Sequence, residues 1–433
     1  MKFSLPRGFR DIPPEDYALM EEIRGAFIET CRLFGFNLME PSPLEMLETL
    51  EAKSGPSIRD EIFAFRDKSG REVGLRFDLT VGLTRWVASN RSLQLPAKIG
   101  SFGGLWRYDE PQYGRYRWFY QWDAEIFGPT TVDADAEVID FTYTLFTKLG
   151  LGDVSLHIGD RRVISEYIKK TVGVEDDSTL AEMLRALDKI KKKSKDEILE
   201  EYASKIDPSK LAQLLEFGEV SGAAEDVLSK VSEYKLESAN ALAELVDLLK
   251  QREVKNVVID LSIVRGLDYY TGIVFEAFTQ SDPALGALAG GGRYDSLPAI
   301  FGRPDIGATG AAGGVDRTII ALKKRGAKKV CEQAVYVAYV NKEVSGAAQK
   351  IASALRREGL AAEVDLGNRS LKKQLEVAAK RNTPYVIIVG PKELAANKVV
   401  LKDMRVGREE VKSVEEAINY LRGVLRGSCA AAV

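Results

Sequence analysis

Histidine is nearly absent: His157 is the only one in 433 residues. A Ser-His-Asp triad or a multi-histidine metal site would have to use it, and nothing around it suggests either. It reads as a strand residue without a chemical role. Cysteine is almost as scarce. Cys31, Cys331 and Cys429 lie far apart and form no CxxC pair, so neither a disulfide framework nor a bound zinc is supported. Cys429 also stands one place too early for a prenylation box. No apolar stretch reaches the roughly 18 residues that span a bilayer. The N-terminus shows no basic-then-apolar leader, and the expectation is a cytoplasmic chain with no membrane partner. Charge of one sign is missing as well, with 61 Lys and Arg against 64 Asp and Glu. The whole chain is therefore not a basic nucleic-acid binder. With so little Cys and His, the chemistry falls to Arg, Asp, Glu, Gln, Tyr and backbone groups. That set suits phosphoryl or nucleotidyl transfer, where positioning and charge neutralisation dominate.

What the chain does have is an uneven charge and a clear change of pattern along its length. From Val330 onward there are 17 Lys and Arg against 12 Asp and Glu, a basic module that allows a polyanionic partner at that end. Apolar residues at Tyr17, Met20, Ile23, Phe27 and Cys31 predict an amphipathic helix over 14–34. Gly35 ends it, and an extended stretch follows through Pro43. Residues 98–127 read as an antiparallel hairpin whose long loop runs from Asp109 to Arg117. Residues 171–254 are helical in pattern, and the Lys189 to Lys195 cluster within them reads as a solvated helix face. Strands resume from Val254. A glycine-rich strand then feeds a helix near Asp316, and a basic linker occupies 324–329. Beyond it a βαβα pattern fills about 100 residues. The fold expected is α+β: a catalytic domain around an antiparallel sheet (1–170 and 255–325), a helical insertion (171–254) and a C-terminal α/β domain (330–427).

Four clusters carry chemistry: LRFDLTVGLTR at 75–85, WRYDEPQYGRYRWFYQWDAEIFG at 106–128, VRGLDYYTGIVFE at 264–276 with AGGGRYDSL at 289–297, and GGVDRTI at 313–319. Nucleotidyl transfer builds negative charge at the α-phosphorus, and fixed guanidiniums can clamp a triphosphate and neutralise that charge. Arg107, beside the hairpin loop, and Arg317, at a helix start, suit the task. Arg265 stands between an apolar strand and a glycine. The bland alternative for all three is ordinary ion pairing. Tyr269 and Tyr270 are ambiguous, because adjacent tyrosines on a strand usually split, one packing and one exposed.

Taken together these clusters resemble the class II histidyl-tRNA synthetases over nearly the whole chain. Trp106 to Gly128 is similar to the family's motif 2, GGVDRTI to motif 3, and RGLDYYTG with GGGRYD to its two signature peptides. RGFRDIPP and PSPLE resemble its opening and motif 1, whose proline is Pro41 or Pro43. The resemblance implies an anticodon-binding C-terminal domain, a homodimer formed through motif 1, and ATP, Mg²⁺, L-histidine and the tRNA for histidine as partners, with the metal ligands unassigned. It implies that Arg107 meets the α-phosphate and Arg317 the γ-phosphate side. Asp109 and Arg115 complete the ATP site, and Arg265 acts with Arg107 at the reacting phosphate and the histidine carboxylate. It assigns Glu125, Tyr269 and Tyr270 to the imidazole, and Asp78, Leu79, Thr80 and Gln121 to the α-amino side. Gln112 and Arg115 fall to the tRNA acceptor end. Asp109 stands where motif 2 commonly has Glu. Gly82 stands where many relatives have proline, with a looser loop expected there. The rival readings are another class II synthetase, which would lack RGLDYYTG, and a non-catalytic synthetase-like regulatory subunit of histidine biosynthesis, which would lack the signature peptides and the C-terminal domain.

Overall fold

The first apolar periodicity forms a single helix, Pro14–Phe34, in the computed structural model of the chain, which describes residues 3–111, 114–264, 269–327 and 334–429. Its buried stripe is Leu19, Met20, Ile23, Phe27 and Cys31. Gly35 closes it at φ 73°, a left-handed conformation that costs glycine nothing. Tyr17, assigned to the same stripe from sequence, is instead half exposed. Contacts divide the chain into two units, Met1–Lys328 and Lys329–Val433.

The strands of the first unit are β1 (Asn37–Leu38), β2 (Leu44–Met46), β3 (Ala64–Arg66), β4 (Glu72–Leu75), β5 (Ala97–Trp106), β6 (Trp118–Gly128), β7 (Val154–Asp160), β8 (Ser221–Gly222), β9 (Val257–Asp260), β10 (Ile273–Thr279), β11 (Ala289–Arg293) and β12 (Gly307–Gly314). Nine of them make one sheet in the order β1-β5-β6-β12-β11-β10-β7-β9-β8, and β2, β4 and β3 make a small second sheet. Pairing in the large sheet is parallel at β1/β5 and β7/β9. Its centre is antiparallel, as the hairpin read at 98–127 predicts.

Strand β6 sets the two faces. Trp122, Ala124 and Ile126 point to the core, where Trp122 packs with Phe27, Phe141 and Phe146 beneath the helices Pro14–Phe34 and Val132–Lys148. Replacing such a buried tryptophan by alanine costs about 3–5 kcal/mol. Gln121, Asp123 and Glu125 share the opposite face, because strand side chains alternate with period 2. Their partners across β12 are Gly314, Ala312 and Gly310. These small residues leave that face of the sheet open, and a cleft forms there.

Between β7 and β9, past a short helix Arg161–Tyr167, the chain forms the helices Asp177–Leu187, Lys195–Tyr202, Pro208–Gly218, Ala224–Ser232 and Ala239–Gln251. Ser194 and Glu197 make a reciprocal capping box at Lys195–Tyr202. Lys189 and Lys193 pair with Glu201, Lys195 pairs with Glu219, and Lys191 reaches Asp260 of β9. His157 lies on β7, as the sequence suggests, with Nδ1 3.0 Å from Asp260 Oδ2.

The second unit has strands β13 (Val335–Tyr339), β14 (Ala362–Val364), β15 (Tyr385–Val389), β16 (Lys398–Asp403) and β17 (Arg408–Ser413), in the order β14-β13-β15-β16-β17. The first three are parallel, and helices Ser345–Arg357, Leu371–Lys380 and Val414–Cys429 connect or close them. The antiparallel hairpin β16–β17 is an addition to the expected βαβα pattern. Its second strand, REEVKS, is mostly exposed and carries almost no apolar signal. Val337, Leu355, Ile387 and Leu421 are fully buried in a core belonging to this unit. Cys331 lies outside the described residues.

Candidate active site

A cleft of about 430 Å³ opens on the bare face of the large sheet, lined among others by Asp78, Thr80, Arg107, Gln121, Glu125, Tyr269, Tyr270 and Tyr294. At its floor stands Glu125, 2% exposed. Gly310, directly across the ladder, has no room for a Cβ because the Glu125 carboxylate occupies that space. Each carboxylate oxygen is held by a hydroxyl: Thr80 Oγ1 donates to Oε1 at 2.8 Å, and Tyr294 OH donates to Oε2 at 2.5 Å. Burial and the neighbouring Glu125 charge push the Tyr294 phenol well above its ordinary range, so it stays a donor. Charge-assisted bonds of this kind are about twice as strong as neutral ones.

Tyr294 is held in turn by its chain neighbour. Arg293, 3% exposed, donates to Asp135 at 2.9 and 3.0 Å, to the Thr131 carbonyl at 2.7 Å and to the Pro129 carbonyl at 3.0 Å. These bonds fasten the end of β11 to the start of the helix Val132–Lys148. Burial raises the Asp135 carboxyl to about 6, with Arg293 pulling the other way. Removing one partner of such a buried pair costs about 3–5 kcal/mol.

Tyr269 and Tyr270 are not on a strand, contrary to the sequence reading; they precede β10. The alternating-face argument therefore lapses. Both line the cleft, with ring centroids 4.2 Å apart, and burial pushes the Tyr269 phenol upward. The Tyr270 carbonyl accepts from Arg161 at 3.0 Å. Asp78 caps the first turn of the helix Thr80–Ser89, accepting from Val81 N at 3.0 Å. Gly82 lies inside that helix rather than in a loop, so no loop is loosened there. A Cβ at Gly82 would come 2.7 Å from Pro41 Cβ, and its absence lets the proline pack against the helix. Leu79 does not face the cleft; its side chain is fully buried with Leu83 and Phe127.

A second chamber of about 210 Å³ adjoins the first and shares Arg107, Asp109, Arg115, Gln121, Gly290 and Ala312 with it. Arg107 is the hinge between the two. Its Nε donates to the Phe77 carbonyl at 2.9 Å and its guanidinium lies 5.1 Å from the Phe119 ring centre. Arg115 reaches Asp109 at 3.1 Å. On the opposite wall Arg317, in the first turn of the helix Val315–Lys324, donates to the Ala287 carbonyl at 2.9 Å. The N-terminal segment straps this chamber: Arg10 reaches both Asp316 and Asp16 and lies 4.3 Å from the Tyr116 ring centre, while Arg117 N donates to the Gly8 carbonyl at 2.9 Å. The structure thus brings together Asp78, Thr80, Arg107, Asp109, Arg115, Gln121, Glu125, Tyr269, Tyr270 and Arg317 around two connected spaces. Gln112 and Arg265 lie outside the described residues.

Residues 8–318 match the family described as histidyl-tRNA synthetase, and residues 334–423 match the anticodon binding domain. The chain belongs to the histidyl-tRNA synthetase family. It is 38% identical to a histidine–tRNA ligase of Thermococcus kodakarensis, over 96% of this chain and 98% of that one. It is 34% identical to a histidine–tRNA ligase of Pyrococcus furiosus, over 97% and 99%. A crystal structure of histidyl-tRNA synthetase from Nostoc superposes with a TM-score of 0.83 at 25% identity, covering 98% of this chain and 99% of that one.

Two polar residues in or under this synthetase-family cleft escape a motif-by-motif reading. Tyr294 lies within GGGRYD but looks like a core tyrosine until the cross-sheet contact to Glu125 is seen. Asp123 announces itself only by parity, two residues from Gln121 and two from Glu125 on one strand. Among the described residues no group of three His, Cys, Asp or Glu side chains is fit to hold a metal, and none of their helices is long and apolar enough to cross a membrane.

Proposed function

We propose that the chain is a histidine–tRNA ligase that works in two steps. A histidine carboxylate oxygen attacks the α-phosphorus of ATP, the bond to the β-phosphate bridging oxygen breaks, and histidyl-adenylate and pyrophosphate form. The 3′-hydroxyl of the terminal tRNA adenosine then attacks the acyl carbon, AMP leaves, and histidyl-tRNA results. Neither step needs a side-chain nucleophile, which accords with the residue types around the cleft.

The observation that carries this reading is Glu125, a buried carboxylate clamped by Thr80 and Tyr294 at the floor of a cleft that opens past Arg107 into an arginine-walled chamber. In this reading Glu125 accepts the imidazole N–H and fixes the tautomer. Tyr269 and Tyr270 flank the ring, and Asp78, Thr80 and Gln121 meet the α-ammonium. Arg107, with Arg265, neutralises the reacting α-phosphate, Arg317 takes the far end of the triphosphate, and Asp109 and Arg115 complete the ATP site. Arg115 and Gln112 meet the acceptor end. Mg²⁺ enters with the substrate, carried on the phosphates of ATP. The C-terminal unit supplies remote tRNA contacts, and two copies pair through the β1–β2 region. Pyrophosphate exchange with each of the twenty amino acids tests the assignment. Histidine alone should support exchange; exchange driven by a different amino acid, or none with histidine, would overturn it.

A further inference from the structure

Asp123 is fully buried, yet it is not part of the cleft wall. It lies on β6 between Gln121 and Glu125, both of which do line the cleft. Its cross-strand neighbours are Ser101 on β5 and Ala312 on β12, so it sits directly beneath the floor. Its carboxylate holds one group of the site and lies beside another. Gln121 Nε2 donates to Oδ1 at 2.8 Å, and Thr80 Oγ1 lies 3.3 Å from Oδ2 while also donating to Glu125 at 2.8 Å.

The first of these bonds has a chemical direction. A carboxylate only accepts hydrogen bonds, so it admits the amide of Gln121 in one orientation, with the NH₂ turned toward it. The amide oxygen diverges from the nitrogen and is therefore presented away from Asp123. A free glutamine could turn either end to the cleft, and the NH₂ end would repel a cation. The buried charge removes that choice and, at low local dielectric, polarises the amide so that its oxygen is a better acceptor.

We infer that Asp123 is the positioning residue for the amino end of the substrate: it locks Gln121 with its carbonyl oxygen toward the α-ammonium. The inference rests on the reading that Gln121 meets the amino group. It adds a residue that need not touch the substrate but decides what Gln121 offers to it.

The test compares binding of histidine with binding of 3-(imidazol-4-yl)propionate, which is histidine without its amino group, measured calorimetrically on the full-length chain. The ratio of the two dissociation constants reports the amino end alone. Asp123→Asn should shrink that ratio about tenfold, the scale of one hydrogen bond to a charged group, while histidine-saturated exchange and the ATP KM change less than about threefold, the spread expected when an interaction contributes equally to ground and transition states. Gln121→Ala should shrink the ratio similarly, and the double variant should go no further, because both act on one contact. Asp123→Ser serves the same purpose should the asparagine variant not fold. If Gln121→Ala lowers the ratio and neither Asp123 variant does, the inference fails and Asp123 is structural. It fails equally if the Asp123 variants weaken both ligands by the same factor and lower the melting temperature. If Gln121→Ala leaves the ratio unchanged, the amino-end reading itself is wrong.

Discussion

Replacing Glu125 by glutamine keeps the shape of the cleft floor and removes its charge. The structure shows how the variant would rearrange. Tyr294, whose phenol is held protonated, must still donate, so it takes the amide oxygen. The new NH₂ then faces Thr80, whose hydroxyl can accept it and turn its own hydrogen to Asp123, 3.3 Å away. No buried group loses a partner, and the melting temperature should fall by only a few degrees, about what 1 kcal/mol does in a chain of this kind. The substrate fares worse. An imidazole N–H that met an ionised acceptor now meets a neutral amide whose oxygen is engaged by a buried phenol. A hydrogen bond to a charged group is worth up to about 3 kcal/mol, so histidine kcat/KM should fall by about 10²-fold with KM raised. The ATP KM should stay near its original value, since Glu125 does not line the arginine chamber. Histidine-dependent pyrophosphate exchange and thermal melting on the same sample separate the outcomes. A stable Glu125→Gln protein with normal histidine kinetics would refute the pocket assignment.

Arg265→Ala should cut adenylate formation by about 10²–10⁴, the ~3–5 kcal/mol of a charge aimed at the transition state, with ATP binding changed much less; a single-turnover rate left intact beside weakened ATP affinity would contradict the role. Removing residues from 330 onward should spare exchange and collapse aminoacylation, since the second unit has its own core, and tRNA binding by the full chain should weaken with salt. A truncated chain that charges tRNA normally would show another purpose for that unit. The exposed Leu38, Leu44 and Met46 should be covered in a dimer, so sedimentation that finds only monomer at micromolar concentration would count against pairing through this region. Burial alone would raise the Glu166 carboxyl, but hydrogen bonds from Lys170 and Ser238 and from the backbone of Ser238 and Glu237 outweigh it and hold the group at about 2. A depressed folded value means stabilisation that is present above the ordinary 4.5 and lost as pH falls toward 2. Melting curves across that window should be flatter in Glu166→Gln, and an identical slope would show that the carboxylate is not linked to folding.

Residues whose role depends on type and local spacing are legible without a structure. Arg107, Glu125 and Arg317 stand in peptides that single them out, and all three line the two spaces, though their roles there belong to the proposal; the helix Pro14–Phe34 follows from apolar period and a terminal glycine. What is not legible depends on contacts across the sheet. Tyr294 reaches Glu125 over a sequence separation of 169, and nothing near either residue announces the pair. Leu79, carried along with its neighbours Asp78 and Thr80, turns to the core because it stands where the helix Thr80–Ser89 begins. The tyrosine pair is misleading in the sequence because the strand that its apolar surroundings suggest starts only three residues later, at Ile273. The β16–β17 hairpin escapes because an exposed, charged edge strand has no hydrophobic alternation to read.

The strap at the N-terminus has a consequence for how the molecule is made. Arg10 leaves the ribosome well before its partner Asp316, which follows 306 positions later. Chains emerge at about 5–20 residues per second, so the segment around Arg10 waits on the order of tens of seconds for the helix that completes its side of the second chamber. A nascent or prematurely ended chain therefore has an unfinished second chamber, however well its earlier strands have paired. On the proposed assignment of that chamber to ATP, nucleotide binding reports that the segment and the helix, 306 positions apart, have met.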